Sequence, residues 1–509
     1  MAQPRLQQVS THAWAWLDGT GRWEHPNSGL IADRAGGLLV NTQYDTQHTS
    51  NVLAAVTAEV PEVRIDRVVI TDASPHHHWG HDALPGAEVL VSKGTASQMA
   101  KLSSPDQLAE MIDGSDPDLP LGRHLRETLG CFEIAGVKPL APVGTFSDRT
   151  SLQIGAAAVE LIDFGVGYSE ADTVVWLPDE SVLFTGDLLC LGVHPAVRSG
   201  SFSSWLTACS SLAALRPATV VPGHGPVTDI AGIIDFRDYL AHLLAEVQSR
   251  FSRGMPLEDT VVDLPLRHWA QWSQPENLAV TVATIYRQLG SSDPASSAAV
   301  TTLSAEIAAG LRRKPRIKPI PPGDHDPEAV RLLGLIHGEA AIFDLHSVHT
   351  PNVILTSLRH PWLFEPGVPL ARAVVTGILA GRDREMLILR GAWNCAAAYQ
   401  WNHHRQLALA AGLSDAEIDL LSKALPQSAW TTQEAALLQA ADELHAQSTI
   451  TDQTWALLEG YYNEQELIEL VTLVGEYTKV SFQLNAWQVS VEMWLGPIHL
   501  PSGWTGRST

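Results

Sequence analysis

The sequence predicts two fold classes in one chain, an α/β fold in the front half and an all-helical fold in the back half. Three features support this prediction. Short apolar, β-branched runs alternate with turn residues before residue 290, residues 291–327 are rich in Pro and Ser, and apolar residues recur every three or four positions after residue 327. A chain of 509 residues is too long for one hydrophobic core, so two to four domains are expected.

The apolar runs of the front half predict buried strands around one early helix. The predicted helix covers residues 51–60, and residues 95–150 are expected to form a lid or wall over the site described below. The predicted strands are residues 28–32, 37–40, 67–71, 87–92, 159–162, 173–176, 182–184 and 219–221.

The most informative stretch is Pro75-His76-His77-His78-Trp79-Gly80-His81, which follows the predicted strand at 67–71. Neutral imidazole is the commonest protein ligand for zinc and also suits iron and copper. A solvated polyhistidine loop or an expression tag is the alternative, but a tag is expected at a terminus and this run lies among strands and turns. The stretch therefore predicts a metal site.

Two later loops, each at the end of a predicted strand, carry further candidate ligands. Gly186-Asp187 follows the strand at 182–184, and Pro222-Gly223-His224-Gly225 follows the strand at 219–221. Loops at strand ends are where layered folds place their chemistry. His194 lies shortly after Asp187, and it either lines the same pocket or is a solvated loop histidine.

Composition narrows the classes of partner. The net charge of -23 would repel nucleic acid and anionic lipid, so a small-molecule substrate is expected, with no nucleic-acid or membrane partner. No apolar stretch reaches the length of a membrane span, and residues 1–8 lack the plan of a signal peptide, so the expected location is the cytoplasm. The four cysteines show no paired spacing, which argues against a disulfide framework and a thiolate zinc site.

These features predict a front domain of residues 1–290, a linker of residues 291–327 and a helical domain of residues 328–509. The linker contains Lys314-Pro315-Arg316-Ile317-Lys318-Pro319-Ile320-Pro321-Pro322-Gly323, and proline at this density is typical of an extended, semi-rigid spacer. In the helical domain, Ser414 is expected to be the N-cap of a helix with Glu417 at its third position.

The front half resembles the metallo-β-lactamase superfamily over about residues 10–290. The resemblance rests on the order of a strand, H-x-H-x-x-H, G-D and P-G-H-G-P. It implies a four-layered αββα sandwich with one or two metals between the sheets. It also implies that His76 and His78 belong to the first metal position, that His81 and His224 belong to the second, and that Asp187 lies between them.

The chain departs from the family pattern at two positions. Gly80 stands where the family has an aspartate in H-x-H-x-D-H, and Tyr168 ends a Gly165-Val166-Gly167-Tyr168 turn where the family has a histidine. His77 is expected to point away from the metal, because the residues on both sides of it are the implied ligands.

Three arrangements of the site remain open. One metal could be held by the remaining histidines and Asp187, two metals could bind with Tyr168 as a phenolate ligand, or the site could be vestigial. The expected cofactor is a divalent metal, zinc first, with iron or manganese as alternatives; a phenolate would favour a harder ion such as ferric iron. The expected reaction with a metal bound is hydrolysis, and a lyase, isomerase or oxygen-dependent reaction stays open.

Residues 360–485 resemble the carboxymuconolactone decarboxylase-like family, which shares its all-helical fold with AhpD-type peroxidases and typically forms homo-oligomers. The resemblance is carried mainly by His360-Pro361, Tyr399-Gln400-Trp401-Asn402-His403, Gly412-Leu413-Ser414-Asp415 and Gly475-Glu476-Tyr477. It implies an AhpD-like helical domain that assembles the protein into a homo-oligomer.

One helix face in this region carries reactive side chains. Cys395, Tyr399 and His403 are spaced four residues apart, and Glu385 could reach the same pocket. The peroxidases use C-x-x-C, but the second position here is Ala398, so a dithiol peroxide cycle is not expected. His403 and Glu385 could instead perform acid–base chemistry, or the aromatic and imidazole side chains could be core and interface residues.

Three functional hypotheses follow. The first is a metal-dependent enzyme, most simply a hydrolase, that acts on an ester, lactone, thioester or related carbonyl compound in the front domain, with the helical domain for assembly or a coupled step. The second is an inactive front scaffold joined to a catalytic decarboxylase- or peroxidase-like helical domain. The third is an iron-dependent oxidation at the front site.

Overall fold

A computed structural model of the protein describes residues 3–34, 36–138, 140, 144–291, 295–337, 349–424, 429–501 and 503–504. The chain forms two compact units, one of residues 1–251 and 263–310 and the other of residues 252–262 and 311–509. The division at residue 310 lies inside the predicted linker, and that linker contains a helix, Ser297–Ala308. Residues 292–294 of the predicted linker lie outside the described residues.

The first unit contains a seven-stranded sheet in which the strands follow one another in chain order. The first four strands pair antiparallel, and the last three continue the sheet in parallel. The strands are β1 (Arg5–Gln8), β2 (Ala13–Leu17), β3 (Ser28–Asp33), β4 (Gly36–Val40), β5 (Ile65–Val69), β6 (Glu88–Ser92) and β7 (Gly144–Phe146).

A second, five-stranded sheet has the order β12-β11-β10-β9-β8. Its strands are β8 (Arg149–Ile154), β9 (Ala157–Gly165), β10 (Asp172–Leu177), β11 (Val182–Phe184) and β12 (Thr219–Val221). Strands β11 and β12 pair in parallel, whereas the other pairs are antiparallel. Because β11 and β12 run in the same direction, the loops that follow them leave the sheet at the same edge.

The two sheets pack face to face around a shared apolar core. Ile31 and Val40 of the first sheet belong to the same buried cluster as Val159 and Val175 of the second. On the other face of the first sheet, a second cluster joins Leu39, Val68 and Val91 to Val52 of the first helix. This is the layering of an αββα sandwich, and the predicted fold class of the front unit is confirmed.

Ten α-helices lie before residue 310 among the described residues, and one of them, α8, belongs to the second unit except for its last residue. The first begins after Asp45, whose side chain accepts a hydrogen bond from the backbone NH of His48 and so caps the helix. The helices are α1 (Thr46–Glu59), α2 (Pro75–His78), α3 (Lys93–Met99), α4 (Pro105–Gly114), α5 (Pro120–Leu129), α6 (Phe202–Ala214), α7 (Ile230–Ser252), α8 (Leu257–Asp263), α9 (Leu278–Gln288) and α10 (Ser297–Ala308).

The second unit is helical, which confirms the other half of the predicted fold class. Its helices are α11 (Pro327–His337), α12 (Asn352–Ser357), α13 (Pro361–Val375), α14 (Gly381–Asn394), α15 (Ala398–Ala410), α16 (Asp415–Leu420), α17 (Thr432–Gln447), α18 (Asp452–Leu458) and α19 (Glu464–Trp487). Ser414 and Glu417 form the predicted capping box at the start of α16. Among the described helices, none combines the length and apolar character that a membrane span requires.

Candidate metal centre

The loop after β5 brings three histidines into the interior of the sandwich unit. Asp72 accepts a hydrogen bond from the backbone NH of Ser74 at 2.8 Å, and Pro75 then begins the short helix α2. The backbone carbonyl of His77 accepts from the NH of Thr42 at 2.8 Å, which fixes α2 against the loop after β4. His76, His77 and His78 are consequently all buried.

The carboxylate of Asp187 is the point on which the imidazoles converge. It lies in the loop after β11, and its Oδ2 is 3.1 Å from Nε2 of His76. Its Oδ1 lies 3.4 Å from Nε2 of His77 and 3.3 Å from Nε2 of His224, which follows β12. The structure therefore brings together side chains from the loops after three different strands.

Two groups of potential ligands share Asp187. His76, Asp187 and His224 form one group, and Asp72, His77 and Asp187 form the other. Within each group, one ligand atom from each residue lies within 4.8 Å of the others. Asp72 is joined to the second group by a contact of 2.8 Å between its Oδ2 and Nδ1 of His77. This arrangement offers two adjacent cation positions with one carboxylate between them.

A glycine makes the close approach of these loops possible. A Cβ atom at Gly223, the residue before His224, would overlap Oδ1 of Asp187 and the backbone of Gly186. The backbone NH of Gly223 also donates to the carbonyl of Gly186 at 2.9 Å. The absence of a side chain at position 223 therefore lets the two ligand-bearing loops touch.

The charges of these groups are set by burial and by one another. Burial, together with the neighbouring His77, lowers the pKa of His76 to about 4, which keeps this imidazole in its neutral, metal-binding form. Burial would also lower the pKa of His77, but Asp72 and Asp187 outweigh it and raise the pKa to about 10. Burial works against the ionised form of Asp187, yet His77, His224 and His76 hold the pKa of its carboxyl group well below the ordinary value.

The unsatisfied atoms of the cluster fit a bound cation. Nε2 of His77, Oδ1 of Asp187 and Nε2 of His224 are buried, and none has a hydrogen-bond partner within the described part of the chain. Buried polar atoms without partners destabilise a protein by about 1–3 kcal/mol each. Nε2 of His77 and Nε2 of His224 lie 3.4 and 3.3 Å from Oδ1 of Asp187, so cations at the two positions that share Asp187 would satisfy these atoms.

Aromatic side chains enclose the cluster on one side. The indole of Trp23 stacks on the ring of His224, with centroids 4.4 Å apart and an angle of 19° between the planes. Tyr168 is buried, and its ring contacts Trp23 at 5.8 Å and Trp205 at 5.6 Å. Burial, followed by the charges of Asp187 and Asp72, raises the pKa of Tyr168 well above the ordinary value, so the phenol is neutral.

Two of the predicted ligands do not join the cluster. Nε2 of His78 is 3.2 Å from the carbonyl oxygen of Ala73, and Nδ1 of His81 is 3.0 Å from the carbonyl oxygen of His78. The expectation that His77 points away from the site is also corrected, since His77 contacts Asp187. The cause is the helix α2, in which each residue is rotated by about 100° from the one before it. His76 and His77 both lie on the side of this helix that faces Asp187, and the further rotation turns His78 away from Asp187.

His194 was predicted either to line the metal pocket or to be a solvated loop residue, and neither prediction matches the structure. It is fully buried, its Nδ1 is 3.0 Å from the hydroxyl oxygen of Tyr239, and its ring packs against Trp272 at 5.7 Å. It belongs to neither group of potential ligands. The structure instead places it in an aromatic cluster.

Gly80, which stands at the aspartate position of the expected motif, has no room for a side chain. A Cβ atom there would overlap Oγ1 of Thr49 and the backbone carbonyl of Asp45. The carboxylate nearest to the imidazoles on this loop is Asp72, eight residues upstream of Gly80. The sequence analysis considered the histidine motif and not the residue at the end of the preceding strand, so it overlooked Asp72. The available signal was the position of Asp72 directly after Thr71, the last residue of the predicted strand.

The predicted reactive residues of the helical unit also pair differently from expectation. Glu385 contacts Nδ1 of His404 at 2.8 Å, whereas Nε2 of His403 is 2.7 Å from the carboxylate of Glu492. The predicted pairing of His403 with Glu385 is therefore corrected. Cys395 is the C-cap residue of α14, so it does not share one helix face with Tyr399 and His403 of α15, as the spacing had predicted. Its Sγ lies 3.8 Å from Nδ1 of His445, and burial raises the pKa of its thiol, which disfavours the thiolate.

Comparison with known proteins supports both resemblances. Residues 165–224 match the sequence model of the metallo-beta-lactamase superfamily, and residues 368–443 match that of the carboxymuconolactone decarboxylase family. The first match includes Tyr168, Asp187 and His224, and the second includes Glu385, His403 and His404.

Individual relatives are similar to part of the chain. The chain is 24% identical to the type 2 metallo-beta-lactamase of Bacillus cereus over 221 residues, which cover 42% of this chain and 73% of that protein. It is 26% identical over 221 residues, with the same coverage, to the type 2 metallo-beta-lactamase of Bacillus sp. (strain 170). A solved metallo-beta-lactamase from Pontibacter korlensis is 19% identical with a TM-score of 0.38, covering 47% of this chain and 99% of that one.

Proposed function

We propose that the sandwich unit is a metal-dependent hydrolase for a small ester, lactone, thioester or related carbonyl compound. One observation carries the proposal: buried imidazoles from two loops meet the carboxylate of Asp187 and leave His77 Nε2, His224 Nε2 and Asp187 Oδ1 without partners in the described part of the chain. The family match to residues 165–224 supports the same reading.

The residues that would hold the metal are His76, Asp187 and His224 at one position and Asp72, His77 and Asp187 at the other. A metal at the second position would have to displace the ring proton that the raised pKa of His77 retains. Zinc is the first candidate, because neutral imidazole and carboxylate are among its usual ligands. When bound, such an ion supplies a nucleophilic water near neutral pH and polarises a carbonyl oxygen.

The chain's own side chains would shape the reaction around these ligands. Trp23 covers His224 and would exclude bulk water from that side of the site. Tyr168 is neutral and packs against Trp23, which stacks on His224, so its hydroxyl could donate a hydrogen bond to a substrate carbonyl oxygen. Asp72 orients His77 through the 2.8 Å contact at Nδ1 and directs Nε2 towards Asp187.

Metal analysis and hydrolysis assays on matched variants test the proposal. Purified protein would be loaded with Zn²⁺, dialysed, and assayed for bound metal and for hydrolysis of 4-nitrophenyl acetate and a thioester probe. We expect stoichiometric metal in the wild type and loss of both metal and activity in His224→Ala. Folded wild-type protein that retains no metal after loading would contradict the proposal.

A second candidate function is iron-dependent oxidation at the same residues. It is favoured by the two-histidine, one-carboxylate composition of the first group and by the buried phenol of Tyr168 nearby. Elemental analysis of protein purified from cells grown with both metals separates the two functions. A tyrosinate-to-metal absorption band that is lost in Tyr168→Phe would support iron, and its absence from iron-loaded protein would count against a phenolate ligand.

We also propose that the helical unit assembles the protein into a homo-oligomer. Large apolar side chains on α13 and α19 are exposed, including Trp362, Ile468 and Phe482, whose exposed fractions are 80%, 69% and 62%. Sedimentation analysis of the wild type and of Ile468→Glu tests this assembly. A wild type that sediments as a monomer would contradict it.

A further inference from the structure

The helical unit contains a cavity of about 570 Å3 that the proposed hydrolysis does not use. Most of its wall is apolar, with side chains from α12, α13, α15 and α19 such as Phe364, Val368, Leu407 and Trp487. Cavities of this size bury most of the surface of a small ligand. The apolar wall indicates a ligand with an apolar body.

Two adjacent imidazoles on α15 supply polar groups to this wall. His403 and His404 both line the cavity, and each is buried and held by a buried carboxylate. Nδ1 of His404 is 2.8 Å from Oε2 of Glu385, and Nε2 of His403 is 2.7 Å from Oε2 of Glu492. Because a carboxylate accepts the ring proton at these nitrogens, Nε2 of His404 and Nδ1 of His403 are the atoms left for a ligand.

Further contacts hold both imidazoles in place. Glu492 also accepts a hydrogen bond from the hydroxyl of Tyr399 at 2.6 Å and one from the backbone NH of Asn352. The ring of Tyr399 stacks on His403 with centroids 4.3 Å apart. His404 meets the ring of Tyr477 edge to face at 4.9 Å. The imidazoles are thus fixed before any ligand arrives, which reduces the entropy lost on binding.

The His403 pair depends on a part of the chain outside the family match. Glu492 and Asn352 lie beyond residues 368–443, whereas Glu385 and His404 lie within them. The second imidazole–carboxylate pair is therefore a feature of this chain's own flanking segments. It doubles the number of ring nitrogens that the cavity can offer to a polar group.

We propose that this cavity is a binding site for an apolar small molecule that carries a weakly acidic hydroxyl group, such as a phenol or an enol. The apolar body would occupy the space between α13 and α19, and the hydroxyl would donate a hydrogen bond to the ring nitrogen of His404 or His403 that does not face a carboxylate. A carboxylate behind each imidazole strengthens the nitrogen opposite to it as an acceptor. A ligand without the hydroxyl would leave that acceptor buried and unpaired.

Equilibrium binding of two matched probes to the full-length protein tests the proposal. 2-Naphthol offers the hydroxyl, and 2-methoxynaphthalene has nearly the same shape but no donor. We expect the wild type to bind 2-naphthol more tightly by about two- to thirteenfold, the range for one net hydrogen bond of roughly 0.5–1.5 kcal/mol. Equal affinities for the two probes, or no binding of either, would overturn the proposal.

Two double variants locate the acceptor without leaving an unpaired buried charge. Glu385→Gln with His404→Leu removes one imidazole and its carboxylate, and His403→Leu with Glu492→Gln removes the other. At least one of them should lose the preference for 2-naphthol while still binding 2-methoxynaphthalene, which shows that the cavity is intact. The exposed His445 lies outside the cavity wall, so His445→Leu should keep the wild-type preference. If each imidazole can replace the other, the preference is lost only when all four substitutions are combined. Preference retained in that combined variant would overturn the proposal.

Discussion

Nε2 of His77 lies 3.4 Å from Oδ1 of Asp187, and both atoms are buried without a hydrogen-bond partner in the described part of the chain. The other nitrogen of this imidazole contacts Asp72. His77 therefore connects two carboxylates, although the motif in the sequence implies that its neighbours His76 and His78 are the ligands. This relationship changes which residues an experiment should target.

The first prediction distinguishes the ligands that the structure brings together from the ligands that the sequence motif implies. Loss of an outer-shell partner of a metal ligand typically weakens metal binding by roughly 10- to 100-fold. His77→Ala should weaken metal binding by more than this, because it removes a direct ligand. His81→Ala should keep the wild-type affinity, because His81 contacts a backbone carbonyl instead. Competition with a chelating indicator measures both affinities. Weakening in His81→Ala without weakening in His77→Ala would instead favour the ligand set implied by the motif.

The second prediction concerns Gly80. Gly80→Ala should destabilise the sandwich unit by about 1–3 kcal/mol, because a Cβ would overlap Thr49 and the carbonyl of Asp45. Gly114→Ala is the control, since a Cβ at that helical position meets no atom within 4 Å and should be neutral or stabilising by about 0.5–1 kcal/mol. Urea unfolding of both variants measures the difference. If the two substitutions had the same effect, the packing at Gly80 would be looser than described.

The third prediction is that removal of the metal destabilises the sandwich unit. Binding to the folded state alone contributes about 4 kcal/mol when free metal exceeds its dissociation constant a thousandfold. Chelation should therefore lower the melting temperature of the wild type, and readdition of Zn²⁺ should restore it. Asp187→Asn should melt at the same temperature with and without chelator. A chelator effect of equal size in the variant would place the metal elsewhere.

The fourth prediction uses the pH dependence of the Glu492–His403 pair. Burial disfavours ionised Glu492, but His403 and Tyr399 outweigh it and keep the pKa of the carboxyl group below the ordinary value of 4.5. A carboxyl group with a lowered pKa stabilises the fold above its unfolded-state pKa, and this stabilisation is lost as the pH falls further.

Glu492→Gln should therefore unfold more easily than the wild type at pH 7, by about 1.5–3 kcal/mol, because the ring NH of His403 and the hydroxyl of Tyr399 lose their charged acceptor. The difference between the two proteins should shrink as the pH falls below about 4.5. Denaturant unfolding at several pH values, followed by the helical signal, measures it. A difference that stayed constant down to pH 3 would show that Glu492 is not ionised in the folded protein.

The fifth prediction is that Cys395 supports no peroxide chemistry. Burial raises the pKa of its thiol, and the second cysteine of the dithiol motif is replaced by Ala398. The wild type and Cys395→Ser should consume hydrogen peroxide with a thiol reductant at the same background rate. A faster rate in the wild type would show that the thiolate forms in spite of its burial.

The sequence by itself determined the two fold classes, since alternating short apolar strands and helical periodicity are local properties. It also identified Asp187, His224 and His76 as members of one site, because each follows the end of a strand and such loops gather at one edge of the sandwich. The capping box at Ser414 and Glu417 was equally local. Strands β1, β2, β7 and β8 were missed because their segments show no long β-branched run.

Only the tertiary structure decided which imidazoles face the carboxylate and which carboxylate pairs with which histidine. Pro75 starts a helix that turns His77 inward and His78 towards Ala73, and the sequence does not reveal where that helix begins. Glu492 reaches His403 across 89 positions of the chain. The physical reason is the same in both cases: side-chain direction depends on backbone torsions and packing set by distant segments, which residue spacing does not contain.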